Sequence, residues 1–178
     1  HTVMPIADPS VCDRLVMMTA TTKTFNIAGV HTGNVIISNP KLRQKFSQRI
    51  KALGISPNSF GLFMATAAYS PEGAEWLDEL LHYIDGNRVI FDKEVNKIPG
   101  LSSMPLEGTY LAWVDFSGTG MEEEEFIYRV QEKAKIAVNH GSTFGTGGEK
   151  YLRFNLATPR TLVVEATKRL KDAFSDLQ

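Results

Sequence analysis

Residues 15–38 read LVMMTATTKTFNIAGVHTGNVIIS, and this stretch decides the fold class. Its two ends, residues 15–20 and 34–38, are short apolar runs that predict buried β-strands. The segment between them is a loop of small and polar residues that carries Lys23. Two buried strands joined by such a loop are a common platform for a functional site.

After this segment, the apolar residues have the spacing of amphipathic helices. Asn39 and Pro40 suit the N-cap and first position of a helix, and Gly54 suits its end. The apolar face of this helix comprises Leu42, Phe46, Ile50 and Leu53. Residues 59–68 predict a second, buried helix. A long helical segment then runs from Pro71 to residue 95, with a kink predicted near Gly86 and a stop at residues 99–100.

The second half of the chain contains alternating patterns typical of strands as well as helical patterns. Strands are predicted at residues 109–116, 136–138 and 151–157. A capping-box pattern at Thr119 and Glu122 predicts a helix start, and Pro159 opens the last helix. The apolar face of that last helix comprises Val163, Ala166, Leu170, Ala173, Phe174 and Leu177. Short strands that alternate with helices indicate an α/β protein, with a domain change near residue 85 followed by a small α+β unit.

Composition excludes several classes of partner. The 19 basic and 20 acidic residues nearly cancel, so the chain has no signature of nucleic-acid binding or of attraction to an anionic membrane. No apolar run approaches the ~20 residues that span a bilayer. A single cysteine, Cys12, fits a reducing compartment, and we expect a cytoplasmic protein. The four histidines show no metal-ligand spacing, so no metal site is predicted.

Three features could carry chemistry. Lys23 is either a solvated surface lysine or a partly buried nucleophile or base, and neighbouring hydroxyls could hold a phosphate. Arg153 either lies on an exposed face of a sheet without a binding role, or it binds a carboxylate through two hydrogen bonds. The glycine-rich residues 141–148 resemble a phosphate loop only in glycine content, so a flexible turn is favoured over a nucleotide site. Local sequence does not decide between the alternatives for Lys23 and Arg153.

Several segments together resemble a known family. Residues 23–29, KTFNIAG, are similar to the Schiff-base lysine motif of the fold-type I pyridoxal-phosphate (PLP) enzymes, the class I/II aminotransferase superfamily. The Lys-Thr-Phe-Asn form most resembles the cystathionine or cysteine-S-conjugate β-lyase branch. Further matches follow in the family's order: Ala67-Ala68-Tyr69 with Gly73, Trp76-Leu77 and Asn87; residues 108–115, GTYLAWVD; and Phe144-Gly145, Gly148, Arg153-Phe154-Asn155 and Pro159-Arg160.

The resemblance implies a function and a set of site residues. Lys23 would be the catalytic lysine that binds PLP, Thr22 a contact of the cofactor phosphate, and Arg153 the residue that binds the substrate carboxylate. The implied reaction is C–S β-elimination, which cleaves cystathionine or related cysteine S-conjugates to a thiol, pyruvate and ammonia. Two alternatives stay open: a PLP-dependent aminotransferase, and a non-catalytic binding or assembly module.

Two departures from the family pattern qualify this interpretation. Many aminotransferases carry, eight residues after the lysine, an arginine that binds the cofactor phosphate, and His31 stands here instead, which favours the lyase branch. The family's upstream cofactor-binding elements have no counterpart before Lys23. We therefore expect a C-terminal fragment that is inactive by itself. Residues 1–85 would end the large PLP-binding domain, residues 86–178 would form the small domain, and the parent enzyme would be a homodimer.

Overall fold

The computed structural model describes residues 8–177 of the chain, so His1, one of the four histidines, lies outside the described residues. The chain divides into two compact units between Glu79 and Leu80. This division falls within a long helix, and so does the boundary predicted near residue 85. The assignment of residues 1–85 and 86–178 to two domains stays a prediction.

The first unit combines a two-stranded sheet with helices. Its strands, Met17–Thr19 (β1) and Asn34–Ile36 (β2), pair antiparallel with Met17 opposite Ile36. Its helices are Pro9–Cys12 (α1), Pro40–Ala52 (α2), Ser59–Ala68 (α3) and the first part of Pro71–Val95 (α4). A short 3₁₀ turn, Ala28–Val30, precedes β2. Both predicted strands of the opening segment are therefore present, on either side of the Lys23 loop.

The prediction that strands β1 and β2 and helix α3 are buried is wrong. Met18 of β1 is 68% exposed, and Phe60 and Phe63 of α3 are 73% and 76% exposed. Among the described residues of this unit, the buried hydrophobic side chains are Ile37 and Ala68. An apolar run shows that a segment gains free energy by burial, but burial needs a second layer, and the two-stranded sheet of this unit provides little.

Helix α2 begins as predicted. The side-chain oxygen of Asn39 accepts hydrogen bonds from the backbone N–H groups of Lys41 and Leu42, at 2.9 and 3.2 Å. These bonds satisfy donors that the first turn of a helix cannot pair internally. The predicted apolar face is partly confirmed, since Leu42, Phe46 and Ile50 are half-buried, whereas Leu53 is exposed at the C-cap.

The second unit is built on a four-stranded antiparallel sheet in the order β3-β4-β6-β5. Its strands are Ser102–Ser103 (β3), Leu111–Asp115 (β4), Asn139–His140 (β5) and Tyr151–Asn155 (β6). Its helices are the remainder of α4, Glu123–Tyr128 (α5), which continues into a π-helical turn at Arg129–Lys133, and Arg160–Ala173 (α6). Short 3₁₀ turns lie at Ser117–Thr119, Gly141–Phe144 and Ser175–Leu177.

The sequence analysis missed one strand of this unit and predicted another wrongly. The two-residue strand β3 was not foreseen, because it lacks an alternating pattern long enough to detect. The strand predicted at residues 136–138 is wrong, since pairing with β6 begins only at Asn139. Ile136 and Val138 instead pack partly buried against the core from an irregular segment. Their apolar character reflects burial and not strand pairing.

The core of the second unit lies between the sheet and its helices. One face of the central strand pair contributes Ala112, Val114, Leu152 and Phe154, all buried. The helices contribute Phe91, Val95, Phe126, Val130, Val163, Leu170 and Phe174. The predicted apolar face of α6 is thus confirmed at Val163, Leu170 and Phe174. Burying large side chains of this kind stabilises a fold by about 1.5–3 kcal/mol each.

The predicted capping box at Thr119 does not form. The Thr119 hydroxyl donates to the carbonyl of Phe116 at 2.7 Å, within the 3₁₀ turn. Helix α5 begins later, after Glu122, which makes no side-chain capping bond. Gly120, with φ of +68°, separates the turn from the helix. The acidic residues Glu123, Glu124 and Glu125 do occupy the first turn, where the helix dipole favours negative charge.

The long helix α4 is continuous through Gly86, and the kink predicted there stays a prediction. A Cβ atom at Gly86 would lie 2.6 Å from Nη2 of Arg160, so the glycine makes room for that guanidinium. Arg160 donates to the carbonyl of Tyr83 and to Oδ1 of the neighbouring buried Asn87. Asn87 in turn donates to the carbonyls of Leu156 and Thr158, which ties α4 to the segment before α6.

No helix within residues 8–177 is long and apolar enough to cross a lipid bilayer.

Gly100 provides a test of the packing after α4. Its φ is +82°, and a Cβ atom there would lie 2.6 Å from the backbone nitrogen of Thr119 and 2.7 Å from the Gly118 carbonyl. We expect Gly100→Ala to lower the free energy of unfolding by about 2–4 kcal/mol, because backbone strain and steric overlap add. The matched control is Gly108→Ala, since a Cβ at Gly108 has no neighbour within 4 Å. Denaturant unfolding should separate the two variants, and equal midpoints would contradict the packing argument.

Candidate functional site

The loop that carries Lys23 has a defined backbone. The N–H of Phe25 donates to the Thr21 carbonyl at 3.0 Å, and the N–H of Ile27 donates to the Thr22 carbonyl at 2.9 Å. Asn26 adopts a left-handed conformation with φ of +53°, which asparagine tolerates better than most residues. These bonds fold residues 21–27 into a compact turn, with Lys23 at its outer side.

Side-chain packing holds the same turn in place. The ring of Phe25 stacks on Trp76, in α4, with centroids 5.2 Å apart and an angle of 26° between the planes. Thr21 is buried and Thr22 is half-buried, whereas Lys23 itself is exposed. Of the two alternatives left open for Lys23, the side chain exposed to solvent is the one found within this unit.

The other end of the loop is fixed by the start of α3. Asn58 caps this helix, accepting from the N–H of Gly61 at 2.7 Å, and its amide nitrogen donates to the carbonyl of Val30. A Cβ atom at Gly61 would lie 1.9 Å from Oγ1 of Thr32, so only glycine permits this close approach. His31 is exposed, with φ of +45°, directly after the 3₁₀ turn. The Lys23 loop is thus anchored on both sides.

Arg153 lies in the centre of β6, opposite Trp113 on β4 and Asn139 on β5. Its Nη2 donates to Oδ1 of Asn139 at 2.9 Å, and its Cζ lies 4.4 Å from the ring centroid of Phe144. Its Nε is buried and has no hydrogen-bond partner among the described residues. Asn139 therefore holds one edge of the guanidinium and Phe144 covers one face. Some of its N–H groups have no hydrogen-bond partner among the described residues.

Aromatic side chains surround this arginine. Trp113 stacks on Tyr151 at 5.5 Å between centroids and meets Phe144 edge-on at 5.6 Å. The nearby Asp115 carboxylate, with a smaller contribution from burial, raises the pKa of Tyr151, so its phenol stays protonated near neutral pH. Phe144 covers one face of the guanidinium, and the N–H donors of a guanidinium can bind a small anionic group.

The glycine-rich segment positions Phe144 over the arginine. Gly141 and Gly148 are buried against each other, and a Cβ atom at Gly141 would lie 2.2 Å from the Gly148 carbonyl. Gly145 and Gly147 have φ of +122° and +92°. The segment therefore closes on itself as a turn and leads into strand β6, in agreement with the predicted order of turn and strand.

The predicted site residues lie in both units. Lys23 and Thr22 belong to the first and Arg153 to the second, and the contacts of each are formed within its own unit. Sequence analysis did not single out Asn139 as a partner of Arg153. No local signal could have done so, because the two residues meet only through the pairing of β5 with β6. Phe144 was noted as part of a signature, but its contact with Arg153 also depends on the folded loop.

Within residues 8–177, no three histidine, cysteine, aspartate or glutamate side chains are grouped so that they could hold a metal ion.

No family model matches the chain. It is 33% identical over 177 residues to the cystathionine β-lyase PatB of Bacillus subtilis, covering 98% of this chain and 46% of that protein. It is 26% identical to an aspartate aminotransferase of Pyrococcus horikoshii, covering 90% of this chain and 41% of that protein. The chain thus spans about half the length of the curated relatives it matches.

Among solved structures, the chain is similar to cystalysin of Treponema denticola, a protein that contains a pyridoxal 5'-phosphate cofactor. The TM-score is 0.86 and the sequence identity 34%, over 96% of this chain and 44% of that one. The chain is thus similar, over nearly its whole length, to about half of several pyridoxal-phosphate-dependent proteins, and cystathionine β-lyases are among them.

Proposed function

We propose that the intact protein is a PLP-dependent C–S β-lyase that cleaves cystathionine or related cysteine S-conjugates to a thiol, pyruvate and ammonia. The observation that carries this proposal is Lys23, an exposed amine on a loop anchored at both ends, in a chain related along its whole length to a cystathionine β-lyase. A lysine on a fixed loop can present its amine to a cofactor in one orientation, as covalent catalysis requires.

The residues of the first unit fit the cofactor. The Nζ of Lys23 would hold PLP covalently, and the half-buried hydroxyl of Thr22 would contact its phosphate. When bound, PLP supplies an electron sink for the negative charge that develops at the substrate α-carbon. The amine of Lys23, released when the substrate amine takes its place, would act as the general base that removes the α-proton.

Arg153 would bind the substrate α-carboxylate. Its guanidinium is oriented by Asn139 and Phe144 and retains unused N–H donors. A planar guanidinium binds a carboxylate through two parallel hydrogen bonds, which fix direction as well as distance. Fixing the carboxylate fixes the orientation of the α C–H bond.

We further propose a homodimeric, cytoplasmic protein. The exposed rings of Phe60 and Phe63 on α3 support a surface that becomes covered in the intact assembly, since large exposed apolar patches mark interaction sites. The single cysteine in the sequence, Cys12, is in keeping with a reducing compartment.

An aminotransferase is the second candidate, because an aspartate aminotransferase is also among the relatives. Both enzymes need the same lysine and arginine, so the reaction itself must discriminate between them. We expect the intact protein to release pyruvate from cystathionine without an added keto acid, because β-elimination needs no amino-group acceptor. Pyruvate is measured with a coupled lactate dehydrogenase assay. Turnover that depends on a keto acid would instead establish the aminotransferase.

The role of Lys23 is tested by Lys23→Ala in the intact protein. We expect elimination to fall by about 10²-fold or more, since a positioned general base contributes that much. Borohydride reduction with PLP, followed by peptide mass spectrometry, should locate the cofactor on Lys23 in the unmodified protein and on no lysine in the variant. Lys41→Ala, a change at an exposed lysine of α2, is the control and should leave both readouts unchanged. A non-catalytic module would show no adduct at Lys23 at all.

The role of Arg153 is tested by Arg153→Lys, which keeps the positive charge and removes the bidentate geometry. We expect kcat/KM for cystathionine to fall by about 10- to 100-fold, because a charge-assisted hydrogen bond contributes about 1.5–3 kcal/mol. Steady-state kinetics provide the measurement. Arg169→Lys on α6 is the control, since Arg169 forms an ion pair with Glu165 on the exposed face of that helix. Similar kinetics in both variants would remove Arg153 from the site.

A further inference from the structure

Two contacts determine the orientation of the Arg153 guanidinium. Asn139 accepts from Nη2 at 2.9 Å at the edge of the group, and the Phe144 ring covers its face at 4.4 Å. Both partners are themselves fixed. Asn139 lies in β5, directly opposite Arg153 in the strand register, and Phe144 ends the 3₁₀ turn that follows β5.

The same contacts decide which donors can reach a ligand. One N–H of Nη2 is used by Asn139, and Nε is buried without a hydrogen-bond partner among the described residues. The N–H groups of Nη1 and the second N–H of Nη2 remain. They lie at the end of the guanidinium, where a carboxylate can accept two parallel hydrogen bonds. Rotation of the side chain away from Asn139 would lose this arrangement.

A neutral amide suits this position for an electrostatic reason. Asn139 accepts a hydrogen bond without neutralising the arginine, so the full positive charge stays available to an anion. A carboxylate at the same place would pair with the guanidinium and would also repel an incoming carboxylate. Among the described residues, no acidic side chain forms an ion pair with Arg153.

We infer that Asn139 is a positioning residue for substrate recognition: it holds Arg153 so that the end of the guanidinium, and not its Nε edge, binds the substrate α-carboxylate. Phe144 supports the same orientation from the face. This inference rests on the proposed function in one respect, namely that Arg153 binds a carboxylate. It adds a residue that acts through Arg153 and a direction of approach for the ligand.

The test measures binding of a carboxylate that cannot react. The probe is 3-(methylthio)propanoate, which lacks the α-amino group, and the comparison ligand is its methyl ester, which lacks the charge. Calorimetric titration gives the dissociation constants of both for the intact, PLP-loaded protein and for its variants. The variants are Asn139→Ala, Asn139→Asp and Arg153→Lys. The matched control is Asn155→Ala, because within residues 8–177 the side chain of Asn155 bonds only to the N–H of Ala157.

We expect Asn139→Ala to weaken binding of the acid by about 5- to 10-fold, since the freed arginine must be ordered again on binding. Asn139→Asp should weaken it further, to about 100-fold or more, because of the added negative charge. The methyl ester should bind all variants alike. A general structural defect would instead weaken acid and ester together.

The outcomes separate the two proposals. If Arg153→Lys weakens acid binding but neither Asn139 variant does, the inference is wrong and the role of Arg153 stands. If Asn139→Ala weakens acid and ester equally, Asn139 has only a structural role and the inference is again wrong. If Arg153→Lys leaves acid binding unchanged, the carboxylate site itself is wrong and the inference is overturned with it. The inference is supported if both Asn139 variants bind the acid more weakly and the ester as before, and if the loss is larger for Asn139→Asp than for Asn139→Ala.

Discussion

The antiparallel register between β4 and β6 is the constraint on which the second unit depends. With Trp113 opposite Arg153, the alternate residues Val114 and Leu152 point together into the core. The same alternation leaves Arg153 on the other face, beside Trp113 and Tyr151. Because side chains in a strand alternate between faces, a slip of one residue would bury the arginine and expose the core residues. The core and the candidate carboxylate site are thus fixed by one set of backbone hydrogen bonds.

The Lys23 loop is held by a different principle. Its own sheet has two strands and little core, so the loop gains its shape from local bonds and from contacts with neighbouring helices. A backbone turn sets its path, the ring of Phe25 stacks on Trp76, and Asn58 joins it to the start of α3. The loop backbone therefore follows a defined path, while the side chain of Lys23 stays exposed to solvent.

The two units differ in how completely they bury their apolar side chains. The second packs aromatic and aliphatic residues from a sheet and three helices into one core, in which Phe91, Phe126 and Phe174 are fully buried. The first leaves Phe60 and Phe63 largely exposed. Exposed apolar side chains of this size are typical of surfaces that take part in an interaction.

The sequence by itself determined the order of the main helices and strands, the N-cap at Asn39 and the resemblance to a family, because propensity, capping and motif spacing are local properties. Burial was predicted wrongly where it depends on a second layer, as at Met18 and Phe60. Sequence alone also gave no sign that Gly86 admits the side chain of Arg160 from far along the chain. Only the tertiary structure decided that Asn139 and Phe144 orient Arg153, because strand pairing and loop closure bring these residues together and no local pattern encodes that contact.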